Sequence, residues 1–356
     1  MKIAFFDAKE YDRASFHPYE DEALEFRYLE DRLSENTADL AAGCEGICVF
    51  VNDVMSASVI DRLYAEGVRF ILLRCAGYNN VDLAYCKGKM PVFRVPAYSP
   101  FAVAEHAMAM LLTSIRRIHK AYNRTREFNF SLSGLTGFDL HGKTAGVIGT
   151  GKIGRAFINI CRGFGMNVLA YDKFPSPDLE TVPRALKADD ALSAGAGPKA
   201  KIGCGGMDCG SVCYVPLGEL FEKSDIISLH CPLTEETHHI IDAASITAMK
   251  KGVVIVNTSR GALIDAEALL EGIKSRKIGA VCLDVYEEEA GLFFNDFSGH
   301  IVPDDLIARL ISMPNVLVTS HQAFLTKEAL AGIAETTVDN IYDYVEKGGG
   351  ENEVAA

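Results

Sequence analysis

Thr144-Ala-Gly-Val-Ile-Gly-Thr-Gly-Lys-Ile-Gly154, continued by a segment that ends on Asn167-Val-Leu-Ala-Tyr-Asp172, is the stretch on which the reading of this chain turns. Residues 144–148 form a short apolar run of the kind that becomes a buried parallel strand, and residues 152–164 have helical spacing. A second apolar run at 167–171 delivers an acid, Asp172. Strand, glycine turn, helix, strand and acid, in that order, are the parts of a dinucleotide site. Gly149 permits the tight turn, Gly151 lets backbone approach a pyrophosphate, and Gly154 allows helix to pack on strand. Thr150, Lys152 and Ile153 complete the turn, and the helix start offers unpaired N–H groups and a positive dipole end. A carboxylate at Asp172 accepts bonds from ribose hydroxyls and repels a 2′-phosphate, which favours NAD over NADP. The alternative, a glycine turn with no nucleotide, fits a lone GxGxxG better than it fits all five parts together.

Working outward, the 356 residues suffice for two domains. Hydrophobic residues make up 49% and charged ones 23%, the balance of a globular protein, and no apolar run is long enough to span a membrane. The start, Met-Lys-Ile-Ala-Phe-Phe-Asp, reads as a first strand and not as a signal peptide. A net charge of −13 without a basic cluster argues against nucleic acid as a partner. Ten cysteines without secretory context suit reduced thiols, so cytoplasm is the expected compartment.

The first hundred residues alternate apolar runs (2–6, 47–51, 70–74, 92–94) with amphipathic segments such as 56–66, which describes a second, smaller parallel α/β unit. Val-Pro-Ala-Tyr-Ser-Pro (95–100) punctuates its end, and a long helix over about 102–122 follows. Further strands are expected at 225–229, 253–256, 280–283 and 316–319. A last helix, 327–346, returns to the first unit, and 348–356 is expected to fray. The fold class is therefore α/β, with two Rossmann-like doubly wound parallel-sheet domains. Residues 1–98 and 325–356 form a discontinuous substrate-binding domain, and 99–324 form the NAD-binding domain. An insertion at about 178–214 breaks the rhythm with a glycine-rich run carrying Cys204, Cys209 and Cys213. It reads as a hairpin or mobile excursion; three thiols could hold a metal, but no fourth ligand is evident.

Three groups recur at strand ends in the NAD-binding domain: Arg260, an acid among Glu287, Glu288 and Glu289, and His321. Carboxyl ends of strands face the ligand crevice in a doubly wound sheet. Each group alone reads as an ordinary surface ion pair or a structural histidine; together, beside a dinucleotide fingerprint, they read as a reaction site. Val256-Asn-Thr-Ser-Arg-Gly-Ala-Leu-Ile-Asp265, Asp284-Val-Tyr-Glu-Glu-Glu289 and His321-Gln-Ala-Phe324 resemble the signature segments of the D-isomer-specific 2-hydroxyacid dehydrogenases, with the greatest similarity to the bacterial fermentative members. Arg74-Cys-Ala-Gly-Tyr-Asn-Asn-Val-Asp82, Ser131-Leu-Ser-Gly-Leu-Thr-Gly-Phe138 and Gly291-Leu-Phe-Phe-Asn-Asp296 fit the same family.

The resemblance implies reduction of pyruvate to D-lactate by NADH, in a homodimer or homotetramer. It makes His321 the acid/base, selects Glu289 as the group that orients it and favours its charged form, and gives Arg260 the substrate carboxylate. It places the carboxylate also at Ala76 and Gly77, and Phe50, Tyr98 and Phe324 around a small methyl group; ordinary core packing is the competing reading for the aromatics. Thr258 and Asp284 are implied beside the nicotinamide, and His230 and Pro232 along the cofactor cleft. No metal is required. Two other readings stay open: the same chemistry on a larger 2-oxo acid, and an NAD-sensing corepressor-like binding protein.

Overall fold

A computed structural model describes residues 1–176, 179, 212–289 and 291–354. The chain divides into two compact units, Met1–Ser99 with Phe324–Ala356, and Pro100–Ala323.

The first unit is a five-stranded parallel sheet built from β1 (Lys2–Phe5), β2 (Glu25–Tyr28), β3 (Gly46–Val49), β4 (Phe70–Leu73) and β5 (Val92–Arg94), in the order β2-β1-β3-β4-β5. The central strands β3 and β4 are buried throughout, as parallel strands covered on both faces must be. The helix Ala57–Ala65 starts from Ser56, whose side chain accepts from the Val59 N–H, and buries Val59, Ile60 and Leu63. The C-terminal helix Lys327–Lys347 packs on this unit and ends at Gly348, whose φ of 71° is left-handed.

Two expectations change here. The edge strand β2 was not foreseen. Residues 352–354 do not fray: Arg94 N donates to Asn352 O at 3.1 Å and Val354 N to Val92 O at 2.7 Å, so they extend the sheet beyond β5.

The second unit is a seven-stranded parallel sheet of β6 (Thr144–Ile148), β7 (Asn167–Tyr171), β8 (Val212–Tyr214), β9 (Ile226–Leu229), β10 (Val253–Asn257), β11 (Ile278–Leu283) and β12 (Val316–Val318). Its order is β12-β11-β10-β9-β6-β7-β8. One face is covered by the helices Pro100–Arg116 and Lys152–Gly163, with Ala104, Ala107, Leu111, Phe157 and Cys161 in their shared core. The other face carries Leu220, Ile246, Leu269 and Ile273. Strand order reverses between β9 and β6, and a ligand crevice opens at such a switch point.

The long helix expected to reach residue 122 stops at Arg116. Arg117 adopts φ 54°, and a separate helix Ile118–Arg126 with no buried residue follows. In the helix Pro100–Arg116, Ala102, Ala104 and Ala107 are buried and Ala109 is exposed. The insertion ends earlier than expected, because Val212–Tyr214 is the edge strand β8, paired with β7. Cys213 is therefore a sheet residue. Cys204 and Cys209 lie outside the described residues.

Candidate active site

Because every strand of the second unit runs parallel, the residues that follow β6, β7, β9, β10, β11 and β12 emerge along one edge. Gly149 comes first, with φ 94°. A side chain there would meet the backbone of His230 and Cys231 within 2.5–2.6 Å, so only glycine lets the β6 and β9 ends close up. A Cβ on Gly154 would lie 2.0 Å from the Gly149 carbonyl oxygen, whereas one on Gly151 would meet nothing within 4 Å. That open side of Gly151, at the N-cap of the helix Lys152–Gly163, is where a pyrophosphate could approach backbone N–H groups. Lys152 is exposed at this helix start, Ile153 half-buried.

The acid of the fingerprint sits where the spacing requires. Asp172 Oδ2 accepts from Thr150 N at 2.6 Å and from its hydroxyl at 2.9 Å, and Oδ1 accepts from Phe174 N at 2.9 Å. The Thr150 hydroxyl also meets the Tyr214 hydroxyl at 2.8 Å. Tyr214, which sequence reasoning missed, thus ties the edge strand to the glycine turn. A cleft of about 800 Å³ runs from Gly149 and Gly151 past Asp172 to His230, Pro232 and Thr237. Burial pushes the His230 imidazole down to about 3; its ring lies tilted against Phe157, with centroids 5.0 Å apart, and the half-buried residue lines the cleft. The cleft and the glycine cradle suit a dinucleotide. So does Thr258, whose buried hydroxyl has no hydrogen-bond partner among the described residues.

The three groups of the proposed chemistry follow β10, β11 and β12. Arg260 is half-buried; Asn257 Nδ2 donates to its carbonyl at 2.8 Å, and its own Nη1 donates to Ser259 O at 2.7 Å. His321 Nδ1 lies 2.9 Å from Glu289 Oε1. Of the three consecutive glutamates, only Glu289 is bonded to His321 among the described contacts. Its second oxygen accepts from Tyr286 N at 3.0 Å, which folds the turn back on itself. Glu288 is exposed, and Glu287 is bonded to His239 at 2.7 Å.

His321 itself has φ 55°, a left-handed conformation that a non-glycine residue keeps only when its surroundings hold it. What holds it is Asp284. His321 N donates to Asp284 O at 2.7 Å, Gln322 N and Ala323 N donate to its two carboxylate oxygens at 2.9 and 2.8 Å, and the Thr319 hydroxyl donates at 2.5 Å. His106 Nε2 lies 3.4 Å away. Burial alone would raise this carboxyl, but the bonds from His106, Thr319, Ala323 and Gln322 outweigh it and hold its pKa below the usual carboxylate range. Asp284 was expected beside a nicotinamide; its wholly buried carboxylate is engaged in fixing the His321 loop. His106 and Thr319 were missed, although a histidine within so apolar a helix was a visible signal.

In the first unit, Phe50, Ala76, Gly77 and Tyr98 likewise follow strand ends, of β3, β4 and β5. Phe50 and Phe324 are each 7% exposed with ring centroids 5.7 Å apart, and the buried Arg74 guanidinium lies 5.0 Å over Phe50. Both phenylalanines are therefore core members as well as candidates for a substrate wall. Arg74 was read only as part of a family segment; its Nη2 donates to Asp7 O at 3.0 Å and its Nε lies 3.4 Å from Asp12. The Ala76 carbonyl accepts from Arg94 at 3.0 Å, which steadies the Ala76-Gly77 turn.

Comparison with known proteins agrees with the fold. The family model for the D-isomer specific 2-hydroxyacid dehydrogenase NAD binding domain matches residues 108–194 and 207–323. The D-lactate dehydrogenase of Escherichia coli (strain K12) is 49% identical over 350 residues, covering 98% of both chains. The apo-structure of D-lactate dehydrogenase from Escherichia coli superposes with a TM-score of 0.83 at 47% identity, covering 100% of each chain. A structure of the pyruvate reductase of Chlamydomonas reinhardtii gives 0.84 at 41% identity, covering 97% of this chain and 96% of that one. The chain belongs to the D-isomer-specific 2-hydroxyacid dehydrogenase family and is an NAD-dependent oxidoreductase.

Proposed function

We propose that the protein reduces pyruvate to D-lactate, with His321 as the acid/base. The observation that carries this reading is the 2.9 Å contact of His321 Nδ1 with Glu289, on the sheet edge that also bears Arg260 and the glycine turn. An ionised carboxylate only accepts, so the proton between them belongs to Nδ1, and Nε2 is left to exchange a proton with substrate. The nicotinamide cofactor, when bound, supplies the hydride. As negative charge develops on the substrate carbonyl oxygen, His321 delivers the proton that makes it a hydroxyl, and Glu289 offsets the charge on the ring. Arg260 presents a planar fork suited to the substrate carboxylate. Asp284 keeps the His321 loop in its left-handed turn, and Asp172, held by Thr150, selects the cofactor without a 2′-phosphate.

Phe50, Tyr98 and Phe324 are the proposed surroundings of the substrate methyl group, with Ala76 and Gly77 at its carboxylate. The names of relatives, D-lactate dehydrogenase and pyruvate reductase, support the small substrate. We assign the enzyme to the cytoplasm as a homodimer or homotetramer. Phe128, Phe130 and Leu132 are 84%, 71% and 81% exposed in one short stretch, an apolar surface that a second copy would cover. No helix among the described residues is long and apolar enough to cross a membrane. The test is NADH oxidation over 2-oxo acids of increasing side-chain size. Pyruvate should give the highest kcat/KM; markedly faster turnover of phenylpyruvate would overturn the assignment.

A further inference from the structure

We propose that His238, His239 and Glu287 form a binding site for a divalent transition metal of the zinc class, separate from the Glu289–His321 pair. Among the described residues these three are the one group of histidine, cysteine and acidic side chains whose donor atoms all converge, within 4.8 Å of one another. The two imidazoles are stacked, with centroids 3.9 Å apart and planes at 29°, and both Nε2 atoms approach the same carboxylate oxygen. His239 lies 2.7 Å from Glu287 Oε1 and His238 3.9 Å from it.

Two imidazole nitrogens and one carboxylate oxygen are the ligand set of open zinc sites, in which water takes the fourth place. Metal–ligand bonds near 2.0–2.1 Å put tetrahedral donors roughly 3.3 Å apart. The separations of the two imidazole nitrogens from Glu287 Oε1, 2.7 and 3.9 Å, straddle that value. His238 is about half exposed, which leaves the fourth position to solvent.

The ligands are also held in place by backbone. His239 adopts φ 51°, and its N–H donates to Ala262 O at 2.9 Å. Ile241 pairs with Ile264 and donates to Leu263 O at 3.1 Å. A Cβ on Gly261 would lie 2.0–2.3 Å from Tyr286 and Glu287 backbone atoms, so the loop after β10 is pressed against the Glu287 turn. Two segments thus present the ligands, and the loop after β10 holds both in one frame, an arrangement that a solvated ion pair does not need. The two imidazole donors favour zinc, cobalt, nickel or copper over calcium or magnesium.

Cobalt(II) added to the metal-free full-length protein is the test, read by visible absorption and by equilibrium dialysis. One equivalent should bind with the intense bands of a four-coordinate nitrogen and oxygen site and without a thiolate charge-transfer band. His239→Ala, His238→Ala and Glu287→Gln should each weaken binding by more than about 10-fold, the least that loss of a ligand should cost when loss of a supporting contact costs 10–100-fold. Combined replacement of Cys204, Cys209 and Cys213 by serine should leave binding unchanged. Circular dichroism of each variant checks folding, and His238→Ala, at a half-exposed position, serves if His239→Ala does not fold. Absence of binding, or binding that survives the histidine and glutamate replacements, would overturn the proposal.

Discussion

Asp284→Asn separates a carboxylate that anchors the His321 loop from one that merely neighbours a cofactor. The side chain is wholly buried. One oxygen takes the Thr319 hydroxyl at 2.5 Å and Gln322 N–H at 2.9 Å, and the other takes Ala323 N–H at 2.8 Å. Asparagine offers one acceptor oxygen, so in either orientation its NH2 group faces a backbone N–H. Leaving such a donor unsatisfied costs about 1–3 kcal/mol, and the surviving bonds lose their charge assistance, worth about 1 kcal/mol more. A total of about 2–4 kcal/mol corresponds to a fall of roughly 4–16 °C in the unfolding midpoint of a unit this size. The activity effect follows from His321, whose left-handed backbone is fixed by Asp284 O and by the bonds of the next two residues. A displacement of about 1 Å at the acid/base can cost on the order of 10²-fold in rate. Thermal unfolding, steady-state kinetics and NADH fluorescence titration together give the answer. The expected result is a lower midpoint and a kcat reduced about 100-fold, with NADH affinity changed only a few-fold. A variant with unchanged midpoint and kcat, weakened only in NADH binding, would refute the anchoring role.

Glu289→Gln should lower kcat/KM for pyruvate by on the order of 10²-fold while leaving the fold intact, since the neutral amide no longer supports a charged ring; an equal loss in Glu287→Gln and none in Glu289→Gln would reassign the acid. Asp172→Ala should narrow the preference for NADH over NADPH, measured as the ratio of kcat/KM values, and an unchanged ratio would remove Asp172 from cofactor selection. His230 supplies a pH prediction. Its folded pKa, about 3, lies below its unfolded value of about 6.5, so below pH 6.5 the unfolded chain binds a proton that the folded chain refuses. Its contribution is therefore complete above pH 6.5 and is lost as pH falls toward 3, by at most about 1.4 kcal/mol per unit, and by less because His230 is only half-buried. In urea unfolding at pH 7 and pH 5, wild type should lose more stability than His230→Asn, and equal losses would contradict the depressed pKa.

The nucleotide unit was legible because its central strands are buried throughout. β6 and β10 are buried at every residue, and such strands show in sequence as unbroken apolar runs beside a glycine turn with a fixed geometric purpose. β2 and β8 are sheet edges, as is β12, whose Val-Leu-Val run was legible. Glu25 is exposed beside buried Phe26, and β8 is three residues at the end of a glycine-rich run, so neither stood out as a strand. The helix break at Arg117 carries no glycine or proline to announce it. The tail's pairing with β5 uses main-chain groups, which composition does not reveal.

In the site, residue types and their strand-end positions pointed to Arg260 and His321, and family register was needed to choose Glu289. The turn that folds Glu289 back to Tyr286 N shows why neighbouring acids are not equivalent. The anchoring role of Asp284 was not legible, because the three bonds to its carboxylate from Thr319, Gln322 and Ala323 come from 35 to 39 positions later and two of them are from backbone N–H groups, which a local motif does not display.

Chiral analysis of the product formed from pyruvate and NADH by the purified protein tests the central claim most directly. D-lactate in amounts equal to the NADH oxidised is the predicted result, and L-lactate, a racemate, or no turnover would contradict it.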